Sequence, residues 1–213
     1  MRWLAFIIAI ILLTGCVTHT HTGNRSGEKK ILIVVSPTDF NYSEYSDIKN
    51  YLTESGFKVV IASKADTAVS ENGKKVTVDV NLAFPATSAA REKLNVTEYT
   101  AFILIGGKGV TTFFDRYMDA GDSIVADIVK VGWTGKIIGA IGTAPLIIAN
   151  ILPQSLLKGK NMTCDPLYKE NLTSKGIRYA GEGVFVDGNI ITATNDSYAK
   201  EFVEKIKSVI NKP

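Results

Sequence analysis

Covalent catalysis needs a nucleophilic side chain and commonly a base beside it. In 213 residues the chain has two cysteines, Cys16 and Cys164, and two histidines, His19 and His21. Both histidines sit just after Cys16, and none occurs beyond residue 21. No cysteine–histidine or serine–histidine pair can therefore form in the body of the chain. The His-Thr-His run has no third ligand near it and makes a poor metal site, so no metal or cofactor is expected. Cys164 precedes Asp165, whose carboxylate raises the thiol pKa and suppresses the reactive thiolate. A small buried apolar residue is its expected role. Asp165 precedes Pro166 and reads as the N-cap of a helix with proline at its first position, or else as a pocket acid. Gly106-Gly107-Lys108-Gly109 is a second candidate. Its first two glycines allow close backbone approach, and their amides can face an anion. Lys108 is either part of such a site or a solvated loop charge. Gly142-Thr143-Ala144-Pro145 is the third. Thr143 is there either a turn residue or a hydroxyl without an obvious base.

These residues must be held by a frame. Lys30–Val35, Phe57–Ala62, Ala101–Ile105 and Lys136–Ile141 are short β-branched, apolar runs, the pattern of strands buried on both faces. Between the first two, Ser43–Ser55 has helical spacing of Tyr45, Ile48, Tyr51 and Leu52, and Gly56 closes it. Asn72-Gly73 and Asp187-Gly188 each lie between β-prone stretches and predict hairpins. Amphipathic segments are expected near Val110–Met118 and Asp122–Val131. A helix is expected from Pro145 and another over Tyr198–Ile210. Alternating strands and helices predict an α/β fold: a three-layer sandwich, flavodoxin-like, with a mostly parallel sheet and helices on both faces. In such sheets ligands bind beyond the carboxyl ends of the strands. The Ser36–Glu44 stretch and both glycine-rich segments follow predicted strands.

The first residues carry a different signal. Trp3–Leu13 is an unbroken apolar run of 11 residues, against the ~20 that a membrane-spanning helix needs. It reads as a signal-peptide core. Leu13-Thr14-Gly15-Cys16 follows, and small residues before a cysteine at this place resemble a prokaryotic lipobox. The expected organisation is a signal peptide over 1–15, a polar tether over 16–29 with Cys16 lipidated, and a domain over 30–213. That implies a lipid-anchored protein on the extracytoplasmic face of the cell membrane, because two or more acyl chains anchor stably. A net charge of +3 without a basic cluster argues against nucleic acid as partner. Asn-X-Ser/Thr occurs at Asn24, Asn41, Asn95, Asn161, Asn171 and Asn195, six of the twelve asparagines. About two would be expected by chance, so these are candidate N-glycosylation sites of a surface protein.

The order of pieces in the domain resembles the ThiJ/PfpI family of the class I glutamine amidotransferase-like superfamily. The pieces that carry the resemblance are Ile31–Val35, the Glu44 region, Glu54-Ser55-Gly56-Phe57-Lys58-Val59, Ile105-Gly106-Gly107, Ala140–Pro145 and Val186-Asp187-Gly188-Asn189-Ile190-Ile191-Thr192. The resemblance implies a cysteine on a strained strand-to-helix elbow, a glutamate contacting it, and in many members a nearby histidine. Glu44, twelve residues before Gly56, falls at the family glutamate. The family elbow reads Ala-Ile-Cys-X-Gly/Ala-Pro, and Ala140-Ile141-Gly142-Thr143-Ala144-Pro145 places Gly142 at the nucleophile. Asp165 falls where the histidine would be. The resemblance also implies a homodimer.

Two functions are compatible with these residues. One is a domain without cysteine-dependent catalysis. It would bind a small ligand or protein partner through Glu44, Gly106, Gly107 and the space opened at Gly142. The other is a non-cysteine hydrolase or a glyoxalase- or deglycase-type enzyme of the same superfamily, using Glu44 as base.

Overall fold

The computed structural model describes residues 28–83, 94–110 and 124–212. The expected signal peptide and tether, and most of the predicted Val110–Met118 segment, lie outside them. Six strands share one direction: β1 (Lys30–Val34), β3 (Lys58–Ser63), β6 (Val80–Asn81), β7 (Tyr99–Leu104), β8 (Ile137–Ile141) and β12 (Ile190–Ala193). A seventh, β11 (Val184–Asp187), runs antiparallel to β12 through the Asp187-Gly188 turn. The sheet order is β11-β12-β8-β7-β1-β3-β6. All five residues of β8 are buried, and four of five in β1, as expected of strands covered on both faces.

Alternation along the strands sorts the core into two layers. Leu32, Phe102 and Ile138 face one side and pack against α2 (Ile124–Trp133) and α3 (Pro145–Ile151). Ile31, Ile33 and Ile103 face the other, against α1 (Tyr42–Glu54) and α6 (Ala199–Ile210). In α1 the buried residues are Glu44, Tyr45, Ile48 and Leu52, and in α6 Ala199, Phe202, Val203 and Ile206. Both sets are one helical face, so the expected three-layer mostly parallel fold is the observed one.

Short elements complete the fold, of which the sequence pattern marks only the Asn72-Gly73 hairpin. A three-stranded sheet joins β2 (Thr38–Phe40), β4 (Thr67–Ser70) and β5 (Lys75–Thr77). Its β4–β5 turn contains Gly73 at φ +78°, as Asn72-Gly73 predicts. A two-stranded pair joins β9 (Asn161–Met162) and β10 (Arg178–Tyr179). Small helices α4 (Gln154–Leu157) and α5 (Lys169–Thr173) lie between. Among the described residues, no helix is long and apolar enough to cross a membrane.

Phe202 is fully buried, and its ring lies over Gly139 of β8, where an added Cβ would be 2.7 Å from its tip. The glycine lets α6 press onto the sheet at that point. Phe202→Ala should therefore cost about 3–5 kcal/mol. Urea unfolding checks this, with a lower midpoint at unchanged slope.

Candidate functional site

The parallel strands β1, β7 and β8 deliver three loops to one edge, and all three meet at Glu44. This residue sits in the first turn of α1, whose N-cap is Asn41; the Asn41 Oδ1 accepts from Glu44 N at 3.2 Å. Only 3% of Glu44 is exposed. Its Oε2 accepts a hydrogen bond from the Gly106 amide at 2.9 Å. Its Oε1 lies over Gly142, where an ideal Cβ would fall 2.2 Å away. Gly142 has φ +63°, a conformation that is costly for any residue with a side chain.

Two expectations are corrected here. The space left by the missing side chain at Gly142 is not open, because the Glu44 carboxyl fills it. The Gly106 and Gly107 amides do not face an anion either. Gly106 N–H is held by Glu44, and Gly107 N–H donates to Thr143 Oγ1 at 2.9 Å. The Thr143 hydroxyl in turn donates to Gly107 O, also at 2.9 Å. Sequence reading offered Thr143 as turn residue or lone hydroxyl; it is a clamp between the β7 and β8 loops.

The two glycines have a steric reason. A Cβ on Gly106 would meet Ile141 O at 2.7 Å and Thr143 N at 2.8 Å. One on Gly107, at φ +120°, would meet Asn41 N and Asp39 O at 2.5 Å each. Asn41 N–H also donates to Gly106 O at 2.8 Å. The adjoining Asp39 has φ +55°, rare without glycine.

Asp165 joins the site by its backbone: its N–H donates to Gly142 O at 2.8 Å. Its side chain caps the following turn, accepting from Leu167 N at 3.0 Å. Of the two expected roles, the N-cap is the one its side chain performs. Cys164 is fully buried, and its Sγ is directed at Asp165 O, 3.2 Å away. Burial first, and the Asp165 charge second, push its thiol up to about 12. Lys108 N–H donates to Glu71 Oε1 at 2.6 Å, so the loop also carries Glu71 to this edge. Glu71 and Asp196 were not singled out in the sequence; nothing in their local pattern marks them.

Electrostatics decide the state of Glu44. The first turn of a helix favours a carboxylate by roughly 0.3–1 kcal/mol, and the Gly106 N–H favours it too. Burial opposes both and wins, aided by the charges of Asp196, Glu71 and Asp165. The result is a carboxyl raised to about 8, and so a neutral acid at pH 7. Among the described residues no cluster of three His, Cys, Asp or Glu is arranged to hold a metal ion.

The sequence profile of the DJ-1/PfpI family matches residues 29–208. The chain belongs to the DJ-1/PfpI family. It is 27% identical over 218 residues to an uncharacterised protein of Methanocaldococcus jannaschii, covering 100% of this chain and 98% of that one. It is also 27% identical over 181 residues to a deglycase of Pyrococcus abyssi, covering 83% and 99%. A crystallised ThiJ/PfpI domain protein of Brachyspira murdochii superposes with a TM-score of 0.73 at 25% identity, covering 87% of this chain and 98% of that one.

The sequons acquire a local explanation. Asn41, Asn95 and Asn195 are N-caps, accepting from Glu44 N, Thr97 N and Ser197 N. Thr97 Oγ1 also donates to Asn95 Oδ1 at 2.6 Å. Asn-X-Ser/Thr is a natural turn-starting sequence. Asn161 and Asn171 are exposed, and Asn24 lies outside the described residues.

The Glu44 pKa gives a stability test. Unfolded, the group releases its proton near 4.5; folded, it keeps it to about 8. Between these values the folded state binds the extra proton, so stability is greatest below about pH 4.5 and is lost as pH rises through 8. The span is on the order of a few kcal/mol. Glu44→Gln preserves an acceptor for Gly106 and cannot ionise. It should abolish this component of the slope and be the more stable protein at pH 9, measured by urea unfolding. Equal slopes in both proteins would refute the raised acid.

Proposed function

We propose that this protein is a lipid-anchored, extracytoplasmic member of the DJ-1/PfpI family that works by binding and not by a cysteine nucleophile. The observation that carries this reading is the Glu44 oxygen lying 2.2 Å from the ideal Cβ position of Gly142. A neutral carboxylic acid occupies the place where the elbow would present a nucleophile. Such an acid offers one O–H donor and an acceptor, so it suits a small ligand that presents a carbonyl or similar acceptor at the carboxyl edge of the sheet. Cys164 does not substitute, because its thiol is buried, directed at a carbonyl and held neutral. The anchor rests on the apolar run, Leu13-Thr14-Gly15-Cys16 and the polar tether. The M. jannaschii relative aligns through this segment as well. Exposed Asn171, which caps no helix, is the site best placed to carry a glycan in such a location.

A second reading is favoured by the deglycase name of the Pyrococcus relative and by a Glu44 pKa of about 8, near the optimum for a general acid–base at neutral pH. In it, Glu44 transfers a proton to or from a reactive carbonyl, and water replaces the cysteine.

Reaction with iodoacetamide separates the two from the family's usual chemistry. The native, folded protein should remain unlabelled at Cys164 at neutral pH, whereas Gly142→Cys should gain one labelled thiol. The variant should lose roughly 1–3 kcal/mol to backbone strain, because φ +63° then belongs to a residue with a side chain. Rapid labelling of wild-type Cys164 would overturn the reading. Turnover of a glyoxal by wild type, abolished in Glu44→Gln, would establish the second one. The intact mass of protein taken from its own membranes should match a start at Cys16 plus acyl chains; an unmodified mass from Met1 would remove the anchor.

A further inference from the structure

The two edges of the sheet differ in charge. The carboxyl edge carries Asp39, Glu44, Glu71, Asp165 and Asp196 around the site, with Lys64, Lys74 and Lys108 as its lysines. The opposite edge, where β1, β3, β7, β8 and β12 begin, is basic. Lys29 and Lys58 meet there, since Lys58 N–H donates to Lys29 O at 3.1 Å. Lys212 follows α6, whose Asn211 accepts from Lys29 Nζ at 2.9 Å. Lys136 precedes β8, and Arg178 N–H donates to Lys160 O beside them at 2.8 Å. Of the acids at this edge, Glu98 is paired with Lys30 and Asp187 with Lys160, each at 2.6 Å. That leaves Glu28 and Glu54 against Lys29, Lys58, Lys136, Arg178 and Lys212, none of which forms an ion pair among the described residues. Lys29, Lys58, Arg178 and Lys212 are exposed.

Apolar surface lies amid this charge. A groove of about 480 Å³ is bounded by Thr100, Trp133, Ile137, Val209 and Ile210. Trp133, Val209 and Ile210 are each half-buried. Asn189 holds the groove wall in place: its side-chain amide lies against the carbonyls of Gly132, Trp133 and Lys136 at 2.5, 3.1 and 2.8 Å. A tryptophan beside lysines is the pattern of a protein face at a bilayer interface, where the ring sits at headgroup level and cations meet anionic lipid.

The chain enters the domain at this same edge, through Glu28 to Lys30 into β1, an inner strand. Eleven residues separate Cys16 from Glu28. Fully extended they span about 40 Å, and a flexible chain of that length has an average reach of about 20 Å. A lipid at Cys16 would therefore hold the basic edge, and not the acidic one, close to the bilayer at high effective concentration.

We infer that the amino edge of the sheet, with Trp133 at its centre and Lys29, Lys58, Lys136, Arg178 and Lys212 around it, docks on anionic phospholipid headgroups. This fixes the domain with its Glu44 site directed away from the membrane. The inference rests on the proposed anchor at Cys16, and the two are separable by experiment. Trp3 and Trp133 are the two tryptophans of the chain. Removal of residues 1–15 leaves Trp133 as the single emitter, and Trp133→Phe verifies the assignment.

The full acylated protein is mixed with vesicles of phosphatidylcholine alone, or of phosphatidylcholine with phosphatidylglycerol. Both carry lipids brominated near the glycerol end of the acyl chain. Flotation reads the anchor, and quenching of Trp133 reads docking. The expected result is flotation with both vesicles, and quenching with the anionic ones only. Quenching should vanish in about 1 M salt, where the screening length is about 3 Å. It should also vanish in Lys58→Glu/Lys136→Glu/Lys212→Glu, which should still float. Flotation without quenching overturns docking and leaves the anchor standing. Quenching without flotation supports docking and removes the anchor. Neither signal overturns both. Quenching retained by the triple variant, or Trp133 shielding that rises with protein concentration in the absence of lipid, overturns the lipid assignment, the latter in favour of a second copy of the chain.

Discussion

The contact on which this site depends is a carboxyl group buried against one amide and one glycine. Glu44 can lie there only because residues 106, 107 and 142 lack side chains. A methyl at Gly106 would strike Ile141 O and Thr143 N, one at Gly107 would strike the turn before α1, and one at Gly142 would strike the acid itself. Three loops from three strands thus approach to backbone distance. Thr143 locks two of them by exchanging hydrogen bonds with both polar groups of Gly107. The cost of burying Glu44 appears as its raised pKa, and the acid accommodates by remaining protonated. This is the ordinary response of a buried carboxyl without a cation beside it.

The elbow keeps its shape although nothing reactive is mounted on it. Positive φ at Gly142 is free for glycine and costs a side-chain residue of order 1–3 kcal/mol. A strained cysteine elbow is worth that cost when it aims a thiolate. With glycine at this position the strain is absent, and the Glu44 carboxyl fills the volume that a side chain would take. Cys164 lies one strand further on, and burial and Asp165 both raise its pKa and suppress the thiolate.

Much of this was legible in the residues. Strands buried on both faces appear as unbroken apolar runs, and β1, β3, β7 and β8 are such runs to within a residue or two. The helices α1 and α6 declare their buried faces by spacing. Gly142 at the elbow, and the absence of histidine, are read directly. What was not legible depends on distance through space. The occupation of the Gly142 volume by Glu44 is set by residues 98 positions apart. The loss of the Gly106 and Gly107 amides to internal acceptors follows from the same convergence. Strands of two or three residues, such as β2, β6, β9 and β10, are too short to show a period. Asn-X-Ser/Thr showed the reverse problem. The pattern is visible, but capping and glycosylation use the same three residues, and position in the fold distinguishes their physical roles.

The distribution of charge links fold to placement. A net charge of +3 suggests a nearly neutral surface, yet a parallel sheet has two inequivalent edges, and the acids are weighted toward one and the lysines toward the other. Carboxylates gather where strands end, which adds to the forces keeping Glu44 protonated and would repel an anionic surface. Lysines gather where strands begin, which is also where the chain enters from Cys16. One asymmetry therefore bears on both the protonation of the site and the proposed orientation of the domain. A neutral acid reads acceptor groups without attracting cations, and on the proposed docking the site would be turned from the bilayer, toward soluble molecules. The protonation of Glu44 and the proposed orientation of the domain both trace to the shared direction of six parallel strands.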